Sequence, residues 1–320
     1  MARNLIIYTN CSKGGVTSVI RNRAIAQPNT KFTALFLNDR NGAGAFEDIP
    51  NISVRIVRRD RAVTYLKYIL NNFDFTSVSV LSEPEIANSI SASVPVPVEY
   101  EFHSSDSSVI KRELDVLNTS RIDRIVVPSA YLRHKVGSLM PPADRSVIEV
   151  RPNLVDVNTF CGFASPSDEG FGVLPTAKLV LWVGRFDKGK GYKQFLRVLG
   201  ALPEGYSGIA VVSLESDPAR AAEFFYECDS AGASDRVSLF ADISQREMAQ
   251  LLRAVRDSGG FLLSTSLMES FGYSVAEALA VGTRVIAYEL PALQELPDDE
   301  GLLTFVPIGS FADVVAEATR

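Results

Sequence analysis

Ser264-Thr-Ser-Leu-Met-Glu-Ser-Phe-Gly-Tyr-Ser-Val-Ala-Glu-Ala-Leu-Ala-Val-Gly-Thr-Arg-Val-Ile-Ala287 decides the reading of this chain. An apolar run leads into a tight, glycine-bearing loop, and a short helical pattern and a second apolar run follow. That succession is the βαβ unit of a parallel sheet. Two carboxylates, Glu269 and Glu277, lie on either side of the loop with seven residues between them. Glu269 falls where the first strand exits and Glu277 in the opening turns of the helix. Both can therefore face one crevice at the carboxyl ends of the strands, where open α/β sheets bind their ligands. A helix opening after Gly272 also offers free backbone N–H groups and a positive dipole end, both suited to phosphate.

The same rhythm continues in both directions. In the second half, strands are expected at 178–183, 208–214, 237–240, 261–264 and 284–287, with helices at 192–199, 219–231, 244–255, 274–281 and 311–319. The first half repeats it, with strands at 5–8, 31–37, 54–57, 77–81, 96–102 and 125–127 and a last one ending at Val150. Helices fit between them at 16–26, 60–72, 84–92, 108–118 and 129–138. At 320 residues the chain suits two domains. The join is expected near Pro152-Asn153, before a polar stretch that runs to Leu174. The expected fold class is therefore α/β, two Rossmann-like domains facing a central cleft: 1–152 on the acceptor side and 153–320 for the nucleotide sugar.

Composition excludes several classes. Apolar residues make up 46% and charged residues 22%, which describes a globular chain. No apolar run approaches the roughly 18 residues a membrane-spanning helix needs. The start, Met1-Ala-Arg-Asn and then Leu-Ile-Ile-Tyr8, reads as a strand and not as a signal peptide. Three widely spaced cysteines, Cys11, Cys161 and Cys228, suggest buried thiols in a reducing cytoplasm and offer no metal-site spacing. The net charge of −6 argues against general nucleic-acid binding. It is unevenly spread: residues 1–150 hold 18 Lys/Arg against 15 Asp/Glu, and residues 151–320 hold 14 against 23. The one basic cluster, Arg55, Arg58, Arg59, Arg61 and Lys67, reads either as a solvated helix face or as a contact for anionic headgroups.

A second motif follows the strand at 178–183: Gly184-Arg-Phe-Asp-Lys-Gly-Lys-Gly191. Arg185 can chelate phosphate oxygens through two parallel donors, and Lys190 adds a compact charge. Alone, the motif would read as a basic turn. Together with Glu269 and Glu277 it resembles the Gly-Arg, Lys-Gly and Glu-x7-Glu signature of retaining GT-B glycosyltransferases of family 4, the glycosyl transferases group 1.

That resemblance implies a metal-independent transferase that moves a hexose-type sugar from a nucleotide-diphosphate sugar, of UDP or GDP type, to an acceptor hydroxyl. It assigns Arg185 and Lys190 to the leaving diphosphate, Glu269 and His103 to the sugar, and Glu277 to the ribose hydroxyls. The backbones of Gly272, Tyr273 and Ser274 would meet the diphosphate, and Gly14-Gly15, beside Lys13, would approach the donor from the first domain. His103 alternatively serves as a structural histidine under its loop, and Gly14-Gly15 as an ordinary tight turn. Ser129 and Pro152-Asn-Leu-Val-Asp156 match two further landmarks, and His134 is expected on an exposed helix face. No Asp-x-Asp triplet is present, so no metal is implied, and the acidic run Asp298-Asp-Glu300 is expected to face solvent.

The acceptor would be a glycan, a lipid-linked or a small molecule, and the site of action the cytoplasm, with peripheral contact at the inner membrane face. Departures from the family pattern are Ala241, where glycine is usual, the turn Asp257-Ser-Gly-Gly260, and the end at Arg320, before a last helix that relatives carry back to the first domain. The missing last helix and the short first domain motivate an alternative, a non-catalytic GT-B homologue that binds a sugar nucleotide or a partner protein. A sugar-nucleotide epimerase on the same fold is disfavoured by the motif combination.

Overall fold

The computed structural model describes residues 2–161, 177–213 and 219–320. The chain divides into two compact units, Met1–Leu154 and Val155–Arg320. In the first, β1 (Arg3–Cys11), α1 (Gly15–Ala26), β2 (Lys31–Asp39), β3 (Ile52–Ile56), α2 (Arg59–Asn72) and β4 (Ser77–Leu81) are followed by α3 (Pro84–Ser91), β5 (Val98–Glu101), α4 (Ser107–Val116), β6 (Arg124–Val127), α5 (Ala130–Leu139) and β7 (Ile148–Val150). All seven strands pair in parallel, in the order β3-β2-β1-β4-β5-β6-β7.

The second unit opens with a one-turn helix, α6 (Val157–Phe160). There follow β8 (Lys178–Gly184), α7 (Tyr192–Ala201), β9 (Tyr206–Val212), α8 (Ala219–Ser230), β10 (Val237–Ala241), α9 (Gln245–Asp257), β11 (Phe261–Ser264), α10 (Tyr273–Val281), β12 (Val285–Tyr288), β13 (Leu303–Val306) and α11 (Phe311–Ala318). Its six parallel strands run β10-β9-β8-β11-β12-β13. In both units the first strand lies inside the sheet and the chain winds outward first one way, then the other. This is the doubly wound order, and the reversal points fall between β1 and β4 and between β8 and β11.

Side-chain alternation explains the layers. In β1, Leu5 and Ile7 join α2–α5 in one apolar core, while Ile6 packs with Ile20 and Ala24 of α1 in another. β8 is apolar on both faces, and Leu179 to Trp182 are all buried in a single core of the second unit. That is the pattern of a central parallel strand. β5 and most of β4 instead alternate, Val98-Glu-Tyr100-Glu and Ser77-Val-Ser79-Val, so they carry apolar residues to the α2–α5 side, while Leu81 at the end of β4 joins the α1 core. The opposite side is polar and internally paired. Arg151 meets Glu99 at 2.8 Å and Glu149 at 3.1 Å, and Arg124 meets Glu149 at 3.2 Å. Arg23 of α1 forks onto buried Glu101 with contacts of 2.7 and 2.9 Å.

Three sequence expectations change. β13 was not anticipated: it is a short edge strand whose start is fixed by Asp298. That carboxylate accepts from Leu302 N at 2.7 Å and Leu303 N at 3.0 Å, so Asp298 is a half-buried turn residue and only its two neighbours face solvent fully. Cys11 and Cys228 are buried, and Cys161, after the single turn of α6, is exposed. Most of the polar stretch up to Leu174 lies outside the described residues. His134 is exposed, as its helical position suggests, and Asp257-Ser-Gly-Gly260 closes α9 against β11 in a turn where Ser258 Oγ accepts from Leu179 N at 3.1 Å.

Replacing Glu101 by Gln leaves the buried Arg23 guanidinium without its counter-charge, a loss of about 3–5 kcal/mol. Urea denaturation should show the midpoint falling accordingly; an unchanged midpoint would mean the pair contributes nothing to the first unit.

Candidate functional site

At the reversal point of the second sheet two loops leave adjacent strands. The first, after β8, carries Arg185 and Lys190; the second, after β11, carries Glu269. Lys190 Nζ donates to Glu269 Oε1 at 2.5 Å, with the lysine side chain 25% and the glutamate 13% exposed. The loops are also joined through their backbones, where Leu267 N donates to Gly189 O at 2.8 Å. Thr265, fully buried at the end of β11, has its hydroxyl 3.1 Å from Lys190 O and 2.9 Å from Gly191 O. Trp182 of β8 donates its indole N–H to the same Lys190 carbonyl at 3.1 Å.

Within the first loop, Asp187 organises the cations. It accepts from Lys190 N at 3.1 Å and from Arg185 Nε at 3.0 Å, and the Arg185 side chain is 58% exposed. Gly191 then enters α7 with φ of 68°, and a Cβ there would lie 2.3 Å from Thr265 O. Only glycine fits that combination of left-handed backbone and close approach. Gly272 meets the same demand before α10, with φ of 90° and a Cβ that would fall 2.2 Å from Leu293 Cδ2. The bend at Gly272 starts α10 at Tyr273, so that the backbones of Gly272, Tyr273 and Ser274 form the helix opening.

Glu277 lies one turn further along α10 and is buried. It makes no hydrogen bond or ion pair among the described residues, and burial alone pushes its carboxyl up to about 8. A buried carboxyl without a partner is costly in a folded chain. It sits in the first turns of the helix that follows the Glu269 loop, where a ligand carrying hydroxyls could satisfy it.

The remaining candidates belong to the first unit. His103 follows β5 with its side chain 8% exposed, and its Nε2 lies 3.2 Å from Glu101 Oε2, the carboxylate that also holds Arg23. Gly14 caps α1 with φ of −92°, a conformation open to any residue, so the turn itself does not require glycine. The basic cluster is partly neutralised, since Arg58 pairs with Asp60 at 2.6 Å and Arg59 with Glu83 at 2.5 Å. Thus the structure brings Lys190 and Glu269 into contact, holds Arg185 on the same loop and sets Glu277 on the adjoining helix. His103 and the Gly14-Gly15 pair have their own neighbours in the other unit. Sequence reasoning missed Asp187, Thr265 and Trp182; the signal was a lone tryptophan and a lone threonine entering the two motif loops.

The sequence model of the family described as glycosyl transferases group 1 matches residues 167–318. The D-inositol 3-phosphate glycosyltransferase of Mycolicibacterium smegmatis is 30% identical over 199 residues, which are 61% of this chain and 45% of that protein. The chain thus spans about half the length of the curated relatives it matches. Among solved structures, Anabaena Alr3699/HepE in complex with UDP-glucose superposes with a TM-score of 0.80 at 15% identity, covering 100% of this chain and 89% of that one. Sucrose-phosphate synthase from Thermosynechococcus elongatus gives 0.77 at 19% identity, with the same coverage. These likenesses show the fold, which is GT-B.

The raised carboxyl of Glu277 has a stability consequence whose sign is fixed. Between the ordinary 4.5 and the folded value of about 8, the folded chain binds a proton that the unfolded chain does not. Stability therefore falls as pH rises through that window. Denaturation midpoints taken from pH 5 to pH 8.5 should decline in the wild type and decline less in Glu277→Gln; parallel profiles would show that Glu277 is not the buried titrating group.

Proposed function

We propose that this chain is a retaining, metal-independent glycosyltransferase that moves a hexose-type sugar from a nucleotide-diphosphate sugar to an acceptor hydroxyl. The observation that carries this reading is the meeting of Lys190 with Glu269 at the reversal point of the second sheet, with an unpartnered Glu277 on the helix α10 that follows the Glu269 loop. A diphosphate bearing two or more negative charges would compete with one carboxylate for Lys190, and Arg185, already exposed, would swing from Asp187 to add a forked contact. The freed Glu269 would accept hydrogen bonds from the hydroxyls of the transferred sugar. Glu277 has two oxygens in one plane, the geometry a vicinal ribose diol needs. The backbones of Gly272, Tyr273 and Ser274 support the diphosphate at the helix end. In the first unit, the family resemblance assigns Gly14-Gly15 to the donor and His103, held by Glu101, to the sugar.

Chemistry follows from that placement. As the bond from the anomeric carbon to the diphosphate oxygen breaks, negative charge grows on the leaving group, and Lys190 and Arg185 offset it. The acceptor oxygen bonds to the same face of the sugar, and its proton passes to a diphosphate oxygen, so configuration is kept. No side chain need act as covalent nucleophile. A UDP or GDP donor is our reading, with support from solved neighbours of the same fold whose structures hold UDP or UDP-glucose. The inositol-phosphate relative favours a small phosphorylated polyol among the possible acceptors, beside glycan and lipid-linked ones. We place the reaction in the cytoplasm, where Arg55, Arg61 and Lys67 would meet anionic headgroups at the inner membrane face. No described helix is long and apolar enough to cross a membrane.

Lys190→Ala should lower turnover by about 10²-fold or more, the usual loss when one electrostatic stabiliser is removed; wild-type turnover would refute its role. Calorimetric titration with UDP, GDP and ADP should identify one tight binder, with EDTA changing nothing. Binding without sugar transfer to any acceptor would favour a non-catalytic homologue. If the bound ribose prefers ionised Glu277, binding below pH 8 must release a proton. Repeating the titration in buffers of different ionisation enthalpy should detect it, and Glu277→Gln should abolish it.

A further inference from the structure

We infer that Thr265 and Trp182 are positioning residues that hold the Lys190 backbone in place for the diphosphate; this rests on the reading of Lys190 given above. Four contacts converge on the backbone of Lys190 and Gly191. Lys190 O receives the Trp182 indole N–H at 3.1 Å and lies 3.1 Å from the Thr265 hydroxyl. The next carbonyl, Gly191 O, lies 2.9 Å from that hydroxyl, and the indole N–H is also 3.2 Å from it. Lys190 N is held by the Asp187 carboxylate at 3.1 Å. Behind the lysine, a Cβ on Gly184 would be 3.0 Å from Lys190 Cβ, so β8 runs close to Lys190 and a side chain at position 184 would crowd it.

A hydroxyl has one proton and can accept as well. Thr265 can therefore accept from the indole while donating to one of the two carbonyls, which links β8, β11 and the loop in one chain of bonds. The indole is itself fixed. Trp182 is 1% exposed and packs on Phe186 at 6.4 Å and Phe195 at 6.1 Å, and Phe186 lies between Arg185 and Asp187 in the same loop. Fixing the lysine backbone leaves only its side chain to move from Glu269 to a ligand, so little ordering remains to be done on binding.

Neither residue need touch the ligand. Trp182 is also the sole tryptophan of the chain, so its emission reports this one peptide.

Thr265→Val removes the hydroxyl at nearly constant volume, Thr265→Ser restores it, and Trp182→Phe removes the indole donor while keeping a ring. With the full chain and UDP, or GDP where UDP does not bind, T265V and W182F should each weaken binding about tenfold, equivalent to one lost buried hydrogen bond. T265S should recover most of the affinity lost in T265V. UDP should shift the Trp182 emission of the wild type, and less so that of T265V. Turnover of UDP-glucose should fall in kcat as well as in kcat/KM. Should T265V fail to melt cooperatively, W182F carries the test. If K190A abolishes binding while T265V and W182F bind as the wild type does, the positioning role is refuted and the Lys190 reading stands. If K190A also binds normally, both fall together.

Discussion

Lys190 and Glu269 are 79 positions apart in the chain and 2.5 Å apart in space. Only the adjacency of β8 and β11 brings them together, and that adjacency is a property of doubly wound sheets, not of either motif. The apolar strands that fill the core of the second unit thus decide where the charges meet. The sheet supplies rigid strand ends and the loops supply chemistry, with two glycines in left-handed conformations making the bends between them.

A second tension accompanies the first. The site keeps one carboxylate satisfied by a cation and another, Glu277, buried with nothing to pair with. Sites that bind polar ligands often hold such groups, because the ligand relieves the desolvation cost that the folded chain otherwise bears. The first unit treats its buried charge differently. Glu101 is satisfied by Arg23 and His103, and Glu99 by Arg151, on the sheet face that α1 packs against. Glu99 and Glu101 of the first unit are paired with cations, whereas Glu277 of the second is left open.

Much of this was legible in the sequence. Continuous apolar runs such as Leu179 to Trp182 and Phe261 to Ser264 announce central strands, and the alternation in Val98 to Glu101 announces one with a single apolar face. Helix limits follow from caps and periodicity, as at Ser244, whose side chain and that of Glu247 close a capping box. Charged residues at loop positions after strands pointed to Arg185, Lys190, Glu269 and Glu277, because spacing along one βαβ unit is local information. What sequence could not show is long-range. The Thr265 hydroxyl reaches carbonyls 75 and 74 positions away, and Arg23 finds Glu101 across 78. β13 escaped because a four-residue edge strand with half-buried side chains carries little periodic signal.

The central claim is that a pyrophosphate-bearing ligand takes Lys190 from Glu269. A crystal structure of the chain soaked with the tightest-binding nucleoside diphosphate tests it most directly. The account expects the Lys190 ammonium on a phosphate oxygen, Glu277 on the ribose hydroxyls, and the Lys190 carbonyl still held by Trp182. A diphosphate bound elsewhere, with the Lys190–Glu269 pair unbroken, would contradict it.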